Sequence, residues 1–224
     1  LAALTAALSA GRPVSRVFGL DRGTPVDRRY IEHFLAAHAD DVRGRVLEIG
    51  NAVYTRRYGG ARVTRSDVLH AEPGNPAATI VGSLTVPDTV PQGVFDCIIL
   101  TQTLHCIFDM RTALRTARDA LAPGGALLFT VPNITPISRY DMDRWGDFWR
   151  FTSRAVEETV REMFPEDAAE IVRYGNAAAA TAFLNGVAAE ELPEDALWTS
   201  DPDYEVTVAV RLRRAQPAPP TPLG

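Results

Sequence analysis

The feature that most constrains the fold is a series of short apolar runs, each bounded by glycine, proline or aspartate. The runs lie at 45–50, 61–68, 78–84, 94–101 and 126–131. Each has the length of a strand and is rich in β-branched or aliphatic residues, which is typical of strands buried on both faces. Between the fourth and fifth runs, Asp109 can cap a helix with one apolar face. Helices that cross between strands join parallel strands, so the order predicts a doubly wound α/β sheet.

Further elements are expected on both sides of this series. Before the first strand, Thr24-Pro25-Val26-Asp27 predicts a helix start with Thr24 as the capping residue. The later elements expected are a helix from Thr152 or Ser153 to Phe164, a strand at 169–175, an Ala-rich helix at 176–189 and a strand at 204–212. The last run alternates in polarity and suits an edge or antiparallel strand. We therefore predict a Rossmann-like, mostly parallel, seven-stranded sheet whose last strand is antiparallel.

Chain length favours one domain, since 224 residues are enough to bury a single core. We expect this domain over residues 1–214, followed by a disordered Pro-rich tail at 215–224. Within it the expected parts are an N-terminal segment and helix (1–44), a cofactor-binding core (45–132), an acceptor lid (133–152) and the C-terminal half of the sheet (153–214).

The net charge and the lengths of the apolar runs argue against nucleic acid and a membrane as partners. The net charge of −5 gives no overall basic field for nucleic acid, and no apolar run reaches the ~18 residues of a membrane span. We expect a cytoplasmic protein with a small-molecule partner, and the sequence leaves its oligomeric state open. Cys97 and Cys106 lack metal-ligand spacing, so we expect reduced packing residues and no metal.

Polar residues at the predicted strand ends are the candidate binding site. In a doubly wound sheet, ligands bind beyond the carboxyl ends of the strands. Asp67, 19 residues after Glu48, is expected to end the second strand and to accept hydrogen bonds from both hydroxyls of a ribose. Acids at strand ends also cap helices or face solvent, so this position alone leaves both interpretations open. The other candidates by position are Glu48, Gly50, Asn51, Ser83, Leu84, Thr101 and Gln102.

The loop after the first strand lacks the glycines of a dinucleotide fingerprint. Ala52 and Tyr54 stand at the next two expected glycine positions. A pyrophosphate needs those glycines to approach the backbone, which disfavours an NAD(P)-dependent oxidoreductase. Two alternatives stay open: a remodelled loop that binds a cofactor without pyrophosphate, and a non-catalytic binding module with a degenerate cofactor loop.

The whole ordered set of motifs resembles the class I methyltransferases that use S-adenosylmethionine. The motifs are VLEIG, SDV, VGSL, FDCIILTQTLH and LAPGGALLFTVP, and the resemblance covers roughly residues 22–212. It implies Glu48 and Gly50 beside the methionine part of the cofactor, Asp67 at the ribose, and Ser83 and Leu84 at the adenine. Ser83 stands where the family often has aspartate or asparagine, and a serine hydroxyl can also accept a hydrogen bond.

Three segments, 18–32, 48–60 and 138–152, look like a bacterial methyltransferase subgroup associated with surface-glycan and natural-product gene clusters. This narrower resemblance implies that the segment before the first strand folds over the cofactor. Arg22 or Tyr30 would then be available to the methionine carboxylate. A solvated cation is the equally weighted interpretation of Arg22.

An aromatic segment at 139–151 follows the fifth strand and is the candidate acceptor lid. Aromatic faces stack on sugar rings and flat ring systems, while arginine and aspartate bind hydroxyls or anionic groups. The candidate acceptor-binding residues are Tyr140, Arg144, Trp145 and Trp149. The alternative is a small hydrophobic cluster that holds a long loop in place.

Methyl transfer from a sulfonium is an in-line displacement, so a general base is needed mainly when the acceptor is a hydroxyl. His105 is the leading candidate base by location and by ordinary pKa, and Asp141 and Asp143 compete with it. We expect methyl transfer to a hydroxyl, or as a second choice an amine, of a small polar acceptor such as a sugar or glycosylated natural product. S-adenosylhomocysteine would be the second product.

Overall fold

The computed structural model describes Thr5 and residues 9–216, and the strands of that part form one seven-stranded sheet. The strands are β1 Gly44–Ile49, β2 Val63–His70, β3 Ile80–Val81, β4 Phe95–Thr101, β5 Leu121–Pro132, β6 Ala168–Tyr174 and β7 Thr207–Arg213. Their order across the sheet is β3-β2-β1-β4-β5-β7-β6. β1 to β5 are mutually parallel, and β7 is antiparallel to both of its neighbours. The predicted doubly wound sheet with an antiparallel last strand is confirmed.

The last strand is not an edge strand. β7 lies between β5 and β6 and is buried at nearly every position, whereas β6 forms the edge and is largely exposed at its start. An alternating sequence was compatible with either an edge or an inner antiparallel position. Pairing on both sides of β7 fixes it as the inner one.

Helices flank the sheet, and four of the six below begin at a residue whose side chain caps the helix. They are α1 Val26–Ala37, α2 Met110–Ala120, α3 Arg139–Met142, α4 Ser153–Met163, α5 Ala177–Leu184 and α6 Glu194–Trp198. The expected caps Asp109 and Thr152 accept hydrogen bonds from the backbone of α2 and α4. The expected cap Thr24 is wrong: α1 starts after Pro25 without a side-chain cap, and the Thr24 N–H donates to Glu190 instead.

The core lies on both faces of the sheet, as the apolar runs predict. Along β4, Ile98 and Leu100 pack into one apolar cluster, while Cys97 and Ile99 pack into the cluster on the opposite face together with α1. Cys97 is a free, fully buried thiol, which confirms its packing role. Both faces of the sheet are therefore covered, and the carboxyl ends of the parallel strands remain open to a ligand.

Several strand boundaries differ from those expected: the strand expected at 78–84 is only Ile80–Val81, and the one expected at 204–212 is Thr207–Arg213. Two further differences bear on the sheet around the site. β2 runs on to His70 because Leu69 pairs with Ile49 of β1 and with Ile80 of β3. β5 begins at Leu121, so Pro123-Gly124-Gly125 lies inside the strand and does not precede it. A side chain at Gly125 would meet the Phe95 carbonyl oxygen at 2.8 Å, so glycine allows β5 to approach β4 there.

The expected Pro-rich tail falls mostly outside the described residues. Ala215 is held by a hydrogen bond from its N–H to Asp167, and 217–224 of the expected tail lie outside the described residues. Among the described residues, no helix has both the length and the apolar character that a membrane span requires.

Candidate functional site

A cavity of about 280 Å³ opens beyond the carboxyl ends of β1, β2 and β4 and beneath the segment that follows β5. Six residues selected from the sequence line it: Gly50, Ser83, Leu84, Gln102, Asp141 and Trp145. Three polar residues that the sequence analysis missed line it too: His70, Thr103 and Cys106. The cavity lies where the sequence predicted a binding site, because the carboxyl ends of the parallel strands meet at the same end of the sheet.

Gly50 forms the turn at the base of the cavity. Its φ is +77°, a left-handed conformation that favours glycine, and a side chain built there would meet nothing within 4 Å. Asn75 donates from Nδ2 to the Gly50 carbonyl at 2.7 Å, and the Gly50 N–H donates to the Leu69 carbonyl at 2.9 Å. The turn is therefore held from both sides while its open face points to free space.

Glu48 lies one layer behind this turn and does not line the cavity. Its carboxylate is 4% exposed and accepts hydrogen bonds from the backbone N–H groups of Tyr54 at 3.1 Å and Thr55 at 2.7 Å. Burial raises its pKa, although these bonds oppose the rise. Glu48 thus anchors the remodelled loop, which continues as a π-helical turn at Thr55–Gly59.

Tyr54 is a packing residue of this loop. Its ring stacks on Tyr58 with centroids 6.1 Å apart, and both rings pack against the apolar cluster beneath α1. Burial raises the pKa of Tyr54 to about 12. A bulky ring at an expected glycine position is therefore accommodated by a loop that winds directly into a helical turn.

Asp67 does not end its strand, so that premise of the sequence analysis is wrong. β2 continues for three more residues, and the Asp67 carboxylate is 1% exposed. It accepts hydrogen bonds from Arg45 at 2.7 Å, Thr79 at 3.0 Å and Arg65 at 3.2 Å. Burial alone would raise its pKa, but these donors hold the pKa below its ordinary value. The Asp67 carboxylate is therefore buried and hydrogen-bonded, and it does not line the cavity.

His70 is the residue that stands at the end of β2 and lines the cavity. Its Nδ1 lies 2.8 Å from the Glu72 carbonyl oxygen, and Nε2 has no hydrogen-bond partner in the part of the chain that the structure describes. An imidazole can donate to or accept from a ligand hydroxyl. The sequence predicted that the acid Asp67 would end this strand, and His70 was not among the predicted site residues.

Gln102 follows β4 in a left-handed backbone conformation with φ of +43°. Such a φ is uncommon for a residue other than glycine and is often found at functional sites. Its side-chain Nε2 is buried with no hydrogen-bond partner among the described residues. A buried amide donor beside a cavity costs free energy until a ligand acceptor binds it. Thr101, one residue earlier, is half-buried and does not line the cavity.

The segment at 133–152 is tied to the turn that follows β4. The N–H groups of Phe148 and Trp149 both point at the His105 carbonyl, at 2.8 and 3.3 Å. The indole N–H of Trp149 donates to the carbonyls of Ile107 at 3.1 Å and Phe108 at 3.2 Å. These bonds hold the segment over the cavity, where Asp141 and Trp145 reach the lining.

The other predicted acceptor residues lie on the outer side of that segment. Tyr140 is 61% exposed, and the Arg144 guanidinium lies 3.7 Å from the centre of its ring. Asp143 is exposed, and the Trp149 ring stacks on Phe108. The alternative interpretation, a hydrophobic cluster that holds the loop, therefore describes Trp149.

His105 lies behind the cavity wall. It is 7% exposed, its Nε2 is 3.3 Å from Cys106 Sγ, and its Nδ1 has no partner among the described residues. Burial lowers the pKa of the imidazole. Its neighbour Cys106 lines the cavity, and burial with the nearby Asp141 raises the pKa of that thiol to about 12.

Three of the predicted cofactor residues lie elsewhere. Arg22 forms an ion pair with Glu191, and the hydroxyl of the fully buried Tyr30 donates to the Leu197 carbonyl at 2.8 Å. Asn51 accepts a hydrogen bond from the Val53 N–H. None of these three residues lines the cavity, and Arg22 and Tyr30 are each held by another partner.

A second cavity, of about 300 Å³, lies near the amino end of β2. Thr55, Arg56, Arg65 and Ser66 are among the residues that line it. None of the residues selected from the sequence belongs to it, and it lies at the end of the sheet opposite to the strand carboxyl ends.

A sequence model described as a methyltransferase domain matches residues 26–170, about two thirds of the chain. The chain belongs to this methyltransferase domain family. The match includes β1 to β5, the whole cavity lining and the segment over it. Family membership confirms the predictions of a methyltransferase and of S-adenosylmethionine as its cofactor.

A curated relative is the ubiquinone/menaquinone biosynthesis C-methyltransferase UbiE of Enterobacter sp. (strain 638). It is 28% identical over 117 residues, which span 42% of this chain and 47% of that enzyme. The chain thus matches about half the length of this relative.

Two solved structures show the same fold at low sequence identity. The N-methyltransferase NodS from Bradyrhizobium japonicum WM9, in complex with S-adenosyl-L-homocysteine, is 18% identical with a TM-score of 0.52, covering 88% of this chain and 90% of NodS. An S-adenosylmethionine-dependent methyltransferase from Mesorhizobium loti is 19% identical with a TM-score of 0.54, covering 88% of this chain and 100% of that one.

Proposed function

We propose that this methyltransferase transfers the methyl group of S-adenosylmethionine to a hydroxyl, or as a second choice an amine, of a small polar acceptor such as a sugar or glycosylated natural product. The observation that carries the proposal is the cavity with the unpartnered amide of Gln102 in its wall and the aromatic segment above it. Such a cavity offers one polar wall for a cofactor and one aromatic wall for an acceptor.

For the cofactor we assign the wall formed by the strand ends. The open turn at Gly50 lets a ligand approach the backbone, and Gln102 Nε2 is a buried donor for a ligand oxygen. His70 replaces Asp67 as the candidate for the ribose hydroxyls because it, and not Asp67, ends β2. Ser83 and Leu84 keep the adenine assignment, since both line the cavity beyond β3.

The remaining predicted cofactor residues do not contact the cofactor in this assignment. Some support the residues that do, and two are withdrawn. Glu48 is a positioning residue, because its carboxylate holds the N–H groups that start the loop helix. Asn51 and Thr101 support the turns on either side of the cavity without lining it. Arg22 and Tyr30 are withdrawn as ligands for the methionine carboxylate.

For the acceptor we assign the opposite wall, with Trp145 and Asp141 in contact with it. An indole ring that is 43% exposed offers a face to a sugar or another flat ring, and a carboxylate can accept a hydrogen bond from the acceptor hydroxyl. S-adenosylmethionine supplies a methyl group already activated by the sulfonium. The chain's task is therefore to position the acceptor in line and to exclude water.

The first test is thermal unfolding with S-adenosylmethionine, S-adenosylhomocysteine or NADH. At ~100 times its dissociation constant, a ligand of the folded state adds about 2.7 kcal/mol, or roughly 5 to 10 °C in the midpoint for this size. We expect the two adenosyl ligands to raise the midpoint and NADH to leave it unchanged. The absence of any shift would favour the alternative that the sequence left open, a non-catalytic module.

The acceptor class is tested separately, with matched pairs of compounds that differ only in a hydroxyl or an amine, such as a glycoside and its amino-sugar analogue. We expect mass spectrometry to detect methylation of the hydroxylated member with S-adenosylmethionine. Methylation confined to the amino members would overturn the hydroxyl assignment and retain the methyltransferase. No methylated product from any polar acceptor, with cofactor bound, would overturn the acceptor class.

A further inference from the structure

Three side chains of metal-ligand type meet at the acceptor wall of the cavity. His105 and Cys106 come from the 3₁₀ turn Leu104–Cys106 after β4, and Asp141 comes from α3. One potential ligand atom from each lies within 4.8 Å of the other two. We propose that these residues form a Zn²⁺ site whose open position faces the cavity. No metal was expected from the sequence, because Cys97 and Cys106 lack metal-ligand spacing and Asp141 lies far from Cys106 in the chain.

Unsatisfied polar atoms support this site. The His105 side chain is more than nine-tenths buried, and the Cys106 thiol, a weak hydrogen-bonding group 3.3 Å from its Nε2, is the one side-chain partner that the described residues give it. The structure also gives the Asp141 carboxylate no hydrogen bond or ion pair within the described part of the chain, although Arg144 is three residues away and bonds to the Tyr140 carbonyl instead. A half-buried carboxylate left without a cation beside a thiol and an imidazole is a strong acceptor for a divalent ion.

The donor set points to zinc. Imidazole nitrogen, thiolate sulfur and carboxylate oxygen at bond lengths of about 2.0 to 2.3 Å are its usual ligands, and three protein ligands leave a fourth position open. Tetrahedral geometry separates such atoms by about 3.5 Å. The three potential ligand atoms lie within 4.8 Å of one another, so side-chain movements of about 1 Å bring them to this spacing.

The backbone that carries the three ligands is held in place. The His105 carbonyl accepts the N–H groups of Phe148 and Trp149, which ties the turn after β4 to the segment that carries Asp141. Ser138 accepts the Asp141 N–H and caps α3. Because Cys106 and Asp141 both line the cavity, the fourth position of the ion opens toward the acceptor.

The chemical role of the ion, unlike its binding, rests on the proposed function. The acceptor hydroxyl takes the fourth position, and the ion lowers the pKa of that hydroxyl so that its proton passes to solvent. The bound oxygen then forms the new O–CH₃ bond as the S–CH₃ bond breaks, and the electron pair of that bond remains on sulfur. The products are the methyl ether and S-adenosylhomocysteine. No oxidant or reductant is needed.

Charge balance supports the same arrangement. A Zn²⁺ ion with one thiolate, one carboxylate and one neutral imidazole has no net charge, and binding an alkoxide makes the site negative. A negative site attracts the positive sulfonium toward the oxygen that accepts its methyl group. His105 and Asp141, two of the three candidate bases predicted from the sequence, would therefore act together as ligands of one ion.

The metal site is tested on the full chain after treatment with a chelator. Calorimetry measures Zn²⁺ binding, and absorption of the Co²⁺-loaded chain reports a thiolate-to-cobalt charge-transfer band. We expect one ion per chain and a band that is lost in Cys106→Ser and retained in Cys97→Ala. We also expect Asp141→Asn to weaken Zn²⁺ binding at least tenfold, while Asp143→Asn leaves the metal affinity unchanged. Absence of stoichiometric binding, or a band that survives Cys106→Ser, would overturn the site.

Failure of the site and failure of the proposed function give different results. S-adenosylhomocysteine binding and methyl transfer are measured before and after the chelator. Transfer that continues at full rate in chelated protein and in Cys106→Ser overturns the metal's role and leaves the methyltransferase proposal intact. Stoichiometric Zn²⁺ binding with no transfer to any hydroxyl supports the site and overturns the hydroxyl acceptor.

Discussion

Two buried polar side chains close to the strand ends are in opposite states. Asp67 accepts hydrogen bonds from two arginines and a threonine, whereas the side-chain nitrogen of Gln102 has no partner among the described residues. A fully bonded buried group stabilises the fold, and an unpartnered buried donor lowers stability unless a ligand binds it. At the scale of the residue, this contrast separates structural from binding roles better than residue type does.

Gln102→Ala tests the binding role of the unpartnered amide. Loss of one buried donor to a ligand oxygen costs about 1.4 kcal/mol, so we expect S-adenosylhomocysteine to bind roughly tenfold more weakly by calorimetry. Because the amide makes no bond in the described structure, the free energy of unfolding should not fall. The matched control is Gln92→Ala, at an exposed glutamine away from the cavity. Equal affinity in the Gln102 variant would show that the amide does not contact the cofactor.

Asp67→Asn tests the structural role of the bonded acid. Removing the charge leaves Arg45 and Arg65 without their partner, and because both arginines reach solvent we expect a loss of about 2 to 3 kcal/mol in urea unfolding at pH 7. The affinity for S-adenosylhomocysteine should remain unchanged. The control Asp119→Asn removes a more exposed ion pair with Arg118 and should cost less than about 0.5 kcal/mol.

The effect of Asp67→Asn on the free energy of unfolding should depend on pH. The pKa of Asp67 in the folded chain is below its ordinary value, so its contribution to stability is present above the unfolded pKa of about 3.9 and is lost as pH falls through the folded pKa. The stability difference between wild type and Asp67→Asn should therefore be largest near neutral pH and shrink below about pH 4. A difference that is constant down to pH 3 would contradict the ion-pair account.

At the scale of the element, the segment that covers the cavity depends on a few bonds to the turn after β4. Trp149 provides two contacts of this kind: its ring stacks on Phe108, and its indole N–H donates to the carbonyls of Ile107 and Phe108. The sequence predicted an aromatic lid but not its attachment, because the attachment joins side-chain and backbone atoms about 40 residues apart.

Trp149→Phe keeps a ring for the stack and removes the indole donor. We expect the KM for the acceptor to rise about fivefold, since one hydrogen bond contributes about 1 kcal/mol, while the affinity for S-adenosylhomocysteine stays unchanged. The matched control is Trp198→Phe, whose indole donates to Glu194 at 2.9 Å and lies outside the cavity lining. A lower affinity for the cofactor product, or an equal effect in the control, would count against a lid that acts on the acceptor.

At the scale of the whole molecule, the architecture was accessible from the sequence because it follows from runs of apolar residues and helix caps. The parallel, doubly wound sheet, the antiparallel β7 and the caps at Asp109 and Thr152 all follow from local patterns. The lining positions Gly50, Ser83 and Gln102 were accessible for a related reason, since parallel strands end at one edge.

The errors arise where distant parts of the chain decide the outcome. β2 extends to His70 through pairing with β1 and β3, which moved Asp67 into the strand and changed the residue at its end. The Tyr30 hydroxyl donates a hydrogen bond to the Leu197 carbonyl, which lies 167 residues away in the chain. The grouping of Cys106 with Asp141 requires the folded lid. A single sequence carries no local signal for any of these contacts.

Calorimetric titration with S-adenosylhomocysteine of wild type, Ser83→Trp and Ser66→Trp tests the claim that the cofactor binds in the cavity at the carboxyl ends of the strands. The two variants place the same indole in the lining of the two different cavities. With folding verified by circular dichroism, we predict one site in wild type, affinity at least about 100-fold weaker in Ser83→Trp, a cost of about 2.7 kcal/mol, and no change in Ser66→Trp. Wild-type affinity in Ser83→Trp, or its loss in Ser66→Trp, would contradict the claim.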